Sequence, residues 1–330
     1  MKLRRVDFHD VFQSPKCSKA IKVKIQHLAI LAVLIGAQAT TLWGDDGAIP
    51  VGTPVVLPKT EQFEVTSKSG LTYRIFVSVP SSKAPEAGSP AVYLTDGNTG
   101  FPIVMSAARR LTQGDPAASI VVGIGYPDDE SRGQYDRRTF DLVGPATDEY
   151  LKTFQAGAPI GKKAGGNDQF LAFIEDELKP LIERKFKIDK SRQTLFGHSF
   201  GGLFTLHVAF TRPQAFQSYV ASSPSIWWFN ESILDEEKAF IDRERKNPAP
   251  IRLMISCGEW EGTPPPGTNP ARAAMLKSRK MAANAHAMAE RLIAAKLDGV
   301  TVIFKEFPEE DHGSVILPAA SRGMRFSLEK

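Results

Sequence analysis

The chain of 330 residues contains only two cysteines, Cys17 and Cys257. Cys17 lies in a basic N-terminal stretch that export would remove, which leaves Cys257 without an intramolecular partner. A small disulfide-stapled scaffold is therefore excluded, and export without disulfides points to a bacterial periplasm. Cys257 itself stands inside the apolar run IRLMISCG and reads as a buried strand residue rather than a nucleophile. Long hydrophobic runs are scarce too. The N-terminal candidate, LAILAVLIGAQA at residues 28–39, has about twelve residues where a membrane span needs roughly 20. It follows Lys2, Arg4, Arg5, Lys16, Lys19, Lys22 and Lys24 and ends in Ala37-Gln38-Ala39. A basic region, a short apolar core and a small-x-small end make residues 1–39 a cleaved secretory signal peptide rather than an anchor. No cysteine directly follows the core, which argues against a lipoprotein.

An excess of one charge is also missing. The formal net charge of +4 belongs to the signal, which holds seven Lys/Arg and two Asp/Glu. Of the 41 basic and 37 acidic residues, 34 and 35 remain after its removal. That balance gives no support to a nucleic-acid-binding surface. Nor is there an internal repeat or a compositional break across residues 50–330, so residues 40–330 read as one catalytic domain, periplasmic or secreted.

What is present is a strand–helix alternation. QFEVTS and GLTYRIFVSVP, joined through Lys68-Ser69-Gly70, predict an antiparallel hairpin, because Leu71, Tyr73, Ile75, Val77 and Val79 alternate with smaller or polar residues. Residues 91–95, 119–126, 193–197, 218–222, 252–258 and 300–307 are short and almost continuously apolar, as strands covered on both faces are. Helical stripes fall between them. One runs over residues 167–186, with Asn167 or Asp168 as cap and a bend expected at Pro180. Another, over 271–297, reads as a single long helix. The pattern predicts a three-layer α/β sandwich with a mostly parallel sheet and an antiparallel N-terminal hairpin. Residues 127–166 lack a clear period and read as a lid-like excursion over one end of the sheet.

The chemistry concentrates in TLFGHSFGGLF, residues 194–204. Gly197-His198-Ser199-Phe200-Gly201 fits G-x-S-x-G, with a predicted strand before it and a predicted helix after it, the setting of a nucleophile elbow. Ser199 then needs a base. His198 is aimed elsewhere by the turn, His207 lies two turns along the next helix, and His286 sits in an alanine-rich helix. His312, in the loop PEEDHGSV after the last strand, stands where the base of this fold class comes from. An acid belongs between serine and histidine in chain order, and both Glu259 and Glu261 follow the strand ending at Gly258. The oxyanion donors expected are the amide of Phe200 and that of Asn98, in the Asp96-Gly97-Asn98 loop after strand 91–95. Trp227 and Trp228 read equally as an aromatic wall for an aryl ester or as core. Arg132, Arg137 and Arg138 in the excursion are candidate contacts for an anionic substrate, Arg138 foremost.

The motifs YLTDGN, VVGIGYP, RRTFDLVGP, LFGHSFGGLF, ASSPSIWW, CGEWE and EEDHGSVILPAASRGMRF occur in this order across residues 60–326. In them the chain resembles the putative esterase family of α/β-hydrolases, most strongly its siderophore-esterase branch for enterobactin and bacillibactin. The resemblance implies a serine esterase working through an acyl-enzyme on a small-molecule ester, with Ser199 as nucleophile and His312 as base. It implies an acid three residues after the glycine that ends the strand, which is Glu261, although some relatives use a Ser–His pair alone. It implies no metal and no cofactor. Acyl transfer to an alcohol, S-formylglutathione-type thioester hydrolysis and a non-catalytic binding protein on the same fold stay open as alternatives.

Overall fold

A computed structural model describes residues 52–112, 118–127, 132–154 and 160–328, and everything below lies in the unit Val56–Lys330. Residues 1–39, read above as a signal peptide, fall outside the described residues. Eight strands form one sheet: β1 (Thr60–Thr66), β2 (Thr72–Ser78), β3 (Ser89–Leu94), β4 (Ile120–Gly125), β5 (Ile188–His198), β6 (Ser218–Ser222), β7 (Ile251–Gly258) and β8 (Val300–Phe307). Their spatial order is β1-β2-β4-β3-β5-β6-β7-β8. β1 pairs antiparallel with β2 in the register Thr66↔Thr72, and β2 runs antiparallel to β4. From β4 through β3 to β8 all neighbours are parallel. This is the mostly parallel sheet with an antiparallel hairpin that the apolar runs predict, and β3, β4 and β6 are buried along their whole length.

The helices are α1 (Gly97–Leu111), α2 (Arg132–Leu142), α3 (Asp148–Lys152), α4 (Asn167–Phe173), α5 (Lys179–Lys185), α6 (Phe200–Thr211), α7 (Ile233–Glu244), α8 (Pro270–Arg279), α9 (Met281–Ala294) and α10 (Ile316–Leu328). The period-two pleat sends alternate side chains into two cores. Val92, Leu94, Phe196, Val220 and Met254 face α1 and α10. Tyr93, Leu195, Tyr219, Ala221 and Leu253 join the core under α4, α6, α7 and α9. Cys257 is fully buried there, and burial pushes its thiol pKa up, as expected of an inert strand residue.

Three local expectations change. The stripe over 167–186 is two α segments joined by a π turn at Ile174–Leu178, so the chain accommodates the missing amide of Pro180 by widening rather than by a simple bend. The run over 271–297 is two helices, broken where Lys280 adopts a left-handed φ of 49°. The excursion at 127–166 is not irregular throughout: it carries α2 and α3.

Candidate active site

β5 ends at His198 and α6 begins at Phe200, so Ser199 makes the turn alone. Its φ of 62° and ψ of −118° lie outside the regions that L residues favour, a strain on the order of 1–3 kcal/mol. The surroundings hold it there. The Ser199 amide donates to the Ser222 carbonyl at the end of β6 (3.0 Å), and the Ser225 amide donates to the Ser199 carbonyl (3.1 Å). The glycine spacing is steric in origin. A Cβ on Gly197 would lie 1.9 Å from the Gly201 carbonyl oxygen, one on Gly201 would lie 2.1 Å from Thr95 Oγ1, and one on Gly202 would lie 2.7 Å from the Ser222 oxygen. Only bare backbone lets α6 start so close to β5 and to the end of β3.

The other two side chains come from the ends of β7 and β8. Ser199 Oγ lies 3.0 Å from His312 Nε2, and His312 Nδ1 lies 2.5 Å from Glu261 Oε1. The Glu261 carboxylate is fully buried, and its second oxygen accepts from Ser223 Oγ (2.7 Å) and from the Gly258 amide (2.8 Å). Three donors thus compensate one buried charge. Glu259 points away and accepts from the Glu309 amide (2.9 Å). The acid and histidine loops are stitched together, since the Trp260 amide donates to the Glu310 carbonyl (3.1 Å). Gly258 has no Cβ to block that carbonyl, which would lie 2.2 Å from it. The turn after His312 is capped by Asp311, whose Oδ1 accepts from the amides of Gly313 and Ser314. That leaves the imidazole itself uncommitted to capping. His198 does reach the site: its ring packs 4.8 Å from the ring of His312, and its Nδ1 meets Ser222 Oγ at 3.1 Å. Burial first, then the charges of His312 and Arg138, hold His198 well below the ordinary histidine range, so it stays neutral.

Phe200 and Asn98 each lie in a first helical turn, where amides have no intrahelical acceptor. The starts of α1 and α6 meet, with the Cβ position of Gly201 3.4 Å from Asp96 Oδ2. The Asn98 side chain clamps the start of α1 to the end of β4, donating to the Tyr126 carbonyl (2.9 Å) and accepting from its amide (2.7 Å).

The sequence model of the family described as "Putative esterase" matches residues 66–299. The chain belongs to this esterase family. It is 38% identical over 277 residues to ferri-bacillibactin esterase BesA of Bacillus subtilis, covering 82% of this chain and 90% of that one. It is 37% identical to the siderophore triacetylfusarinine C esterase of Aspergillus fumigatus, covering 84% and 96%. Among solved structures, siderophore hydrolase EstA from Aspergillus nidulans superposes with a TM-score of 0.72 at 34% identity, covering 85% of this chain and 99% of that one. The BES protein from Bacillus cereus gives 0.67 at 33%, covering 84% and 99%. The protein is an ester hydrolase with the α/β-hydrolase fold.

Around the Ser199–His312–Glu261 arrangement, the expected substrate residues divide. Trp228 is 1% exposed, packs edge-on to Phe200 and Tyr150 and donates to the Gly144 carbonyl (3.3 Å). It is core, the second of the two readings its sequence allowed, and so does not form a substrate wall. Trp227 is partly exposed, with its ring 6.0 Å from that of Phe200. Arg138 is engaged by Asp96 through two bonds of 2.6 and 3.0 Å, so its charge is already neutralised within the protein. Arg137 stacks on Tyr73 and Tyr126 and faces buried Asp141 at 3.6 Å. The side chain of Arg132 lies outside the described residues. Two clefts flank the triad. One of about 390 Å³ is lined by Asp96, Thr99, Gln134, Tyr135, Arg138 and His198. The other, about 270 Å³, is lined by Trp260, Pro265, Arg272, Leu276, Asp311 and His312. A larger cavity of about 740 Å³ lies around Ser78, Arg109 and Arg110 and holds none of the site residues. Among elements the sequence reading did not bring to the site is α8, which supplies Arg272 and Leu276. Its apolar and basic positions at helical spacing were the available signal.

Proposed function

We propose that the protein hydrolyses carboxylic esters of the siderophore class through an acyl-enzyme on Ser199. The continuous chain Ser199 Oγ–His312 Nε2–Glu261, with gaps of 3.0 and 2.5 Å, is the observation that carries this reading. His312 takes the Ser199 proton as Oγ attacks the ester carbonyl. Glu261 fixes the imidazole with its proton on Nδ1 and stabilises the imidazolium that forms. The first-turn amides of Phe200 and Asn98 are assigned to the oxyanion, in line with the positive ends of α6 and α1. His312 then protonates the leaving alcohol, and a water activated by the same imidazole releases the acyl group.

The substrate class rests on the relatives, which are named for siderophore esters, and on the aromatic Trp227 beside the elbow. The excursion at 127–166 acts as the cover of one flank, an assignment supported by Gln134, Tyr135 and Arg138 in a cleft wall. The enzyme is exported, as supported by the N-terminal pattern. Among the described residues no helix is long and apolar enough to cross a membrane. The deciding experiment is a substrate panel of triscatecholate lactones, S-formylglutathione and 4-nitrophenyl acyl esters, with fluorophosphonate labelling of Ser199 alongside. Inert catecholate lactones beside rapid thioester or simple ester turnover would reject the siderophore assignment. A folded protein that neither labels nor turns over any ester would reject the triad.

A further inference from the structure

Two guanidiniums reach the aromatic cluster beside Ser199, and they differ in what they have left to bind. Arg138 lies 5.2 Å from the centre of the Phe200 ring, with both arms of its fork on Asp96. Arg279, at the end of α8, lies 4.5 Å over the ring of Trp227. It is partly buried, and among the described residues no carboxylate pairs with it. Arg272, Leu276 and Arg279 are spaced i, i+4, i+7, so they share one face of α8. That face is tied to the site at both ends. Arg272 bonds Asp311 (3.0 Å), the neighbour of His312, and Arg279 covers Trp227, whose ring adjoins Phe200. Leu276 and His312 line the same 270 Å³ cleft. With His312 assigned to protonate the leaving alcohol, the cleft it shares with Leu276 is the one that would take the alcohol part of the ester.

We propose that Arg279, laid on the Trp227 ring, is a specificity-determining cation that selects esters whose alcohol part carries negative charge. The inference rests on the assignment of Ser199 as nucleophile and His312 as general acid. A guanidinium is cationic at every working pH. Stacking on an aromatic face positions it without neutralising it, so its counter-charge is left for the substrate to supply.

The test compares 4-carboxyphenyl butyrate with 4-carbamoylphenyl butyrate, two esters of similar size that differ in charge on the alcohol part. In the unaltered protein the ratio of kcat/KM, anionic over neutral, is expected to exceed that of Arg279→Met by roughly tenfold, with Arg279→Lys between them. Added salt at about 0.5 M should lower the ratio in the unaltered protein and leave that of Arg279→Met unchanged, because only a charge–charge contact is screened. Circular dichroism melts establish that the variants fold. Should Arg279→Met fail to fold, Arg279→Gln and the salt dependence of the unaltered protein give the same decision. An equal ratio in the variant and the parent, or a ratio insensitive to salt, overturns the proposal. Failure of the underlying mechanism looks different: neither ester would then show turnover that depends on Ser199.

Discussion

Replacing Glu261 by glutamine exchanges one oxygen for an NH₂ group in a fully buried site, and the surroundings dictate how the amide must lie. One oxygen of Glu261 accepts both the Ser223 hydroxyl and the Gly258 amide, at 2.7 and 2.8 Å. The Gly258 N–H can only donate, so the glutamine must turn its carbonyl oxygen that way. Its NH₂ then faces His312 Nδ1, which in the parent donates across 2.5 Å. Two donors cannot share one hydrogen bond, so the imidazole moves its proton to Nε2. That nitrogen stands 3.0 Å from Ser199 Oγ, and once protonated it can no longer accept the serine proton. The geometry survives while the base is disabled. Misplacing the tautomer in a serine triad costs about 10⁴-fold in kcat. Loss of the stabilised imidazolium acts in the same direction, so we expect a decline of roughly 10³- to 10⁴-fold, about 4–5.5 kcal/mol of transition-state stabilisation.

The assay is kcat for a 4-nitrophenyl ester together with the rate of fluorophosphonate labelling, since both need the serine proton removed. Glu259→Gln is the control, because among the described residues the Glu259 side chain accepts from the Glu309 amide and not from His312, and its activity should stay within about twofold. A Glu261→Gln protein that folds and keeps its activity within about threefold would refute the reasoning and leave Ser199 and His312 as a dyad. A large loss in Glu259→Gln instead would reassign the acid.

Ser199→Ala should fold and lose turnover by several orders of magnitude, and Ser199→Gly should melt above Ser199→Ala, because glycine relieves the positive φ; equal melting points would speak against strain at the elbow. Ser223→Ala removes one of the donors to Glu261 and should cost about 1.5–3 kcal/mol in urea unfolding with a smaller loss of kcat than Glu261→Gln, whereas no change in either would show that the hydroxyl bond is idle. His207, between Glu236 Oε2 at 2.8 Å and Asp168 Oδ1 at 3.2 Å, has its pKa lowered by burial but raised on balance by the two carboxylates. Its contribution to stability is therefore full below the unfolded value of about 6.5 and fades as pH rises through the higher folded value, so the advantage over His207→Gln should shrink from pH 5.5 to 9, and a constant difference would contradict the assignment. N-terminal sequencing of the exported form should begin at or near Thr40, and a membrane fraction retaining Met1 would contradict export.

Strands that are covered on both faces announce themselves, and that is why the sheet was legible. β3, β4 and β6 are buried at every position, so their segments are apolar throughout. β5 runs longer than its apolar core, from Ile188, because the polar residues 189–192 sit at a shift in the pairing register between Ile188 and Gln193. The break at Lys280 was not legible, since a lysine in the left-handed region carries none of the signal that a glycine would. The candidate constellation was legible because Ser199, Glu261 and His312 lie shortly past the ends of β5, β7 and β8. The substrate residues were less so. Whether an arginine is free depends on what tertiary structure sets beside it: Arg138 meets Asp96, 42 residues away, while Arg279 meets a ring. Trp227 and Trp228 are adjacent in sequence, yet one is partly exposed and the other buried. No residue-type argument separates them.

The spacing of the Ser199–His312–Glu261 arrangement has its own cause, which lies in a strand that contributes no member to it. Ser199 follows β5 and Glu261 follows β7, and β6 lies between those two strands. The end of β6 and the loop after it, Ser222-Ser223-Pro224-Ser225, touch both sides. The Ser222 carbonyl accepts from the Ser199 amide and the Ser225 amide donates to the Ser199 carbonyl, while the Ser223 hydroxyl donates to Glu261. Ser222 Oγ also meets His198, whose ring lies against His312. Ser223 itself takes a φ of 43°, and its amide is held by the Ser256 carbonyl of β7 at 2.7 Å. A parallel sheet alone fixes strand separations near 4.8 Å and leaves the loops above it free. This serine loop converts that lattice into a fixed distance from nucleophile to acid, and His312 needs only to bridge a gap already set.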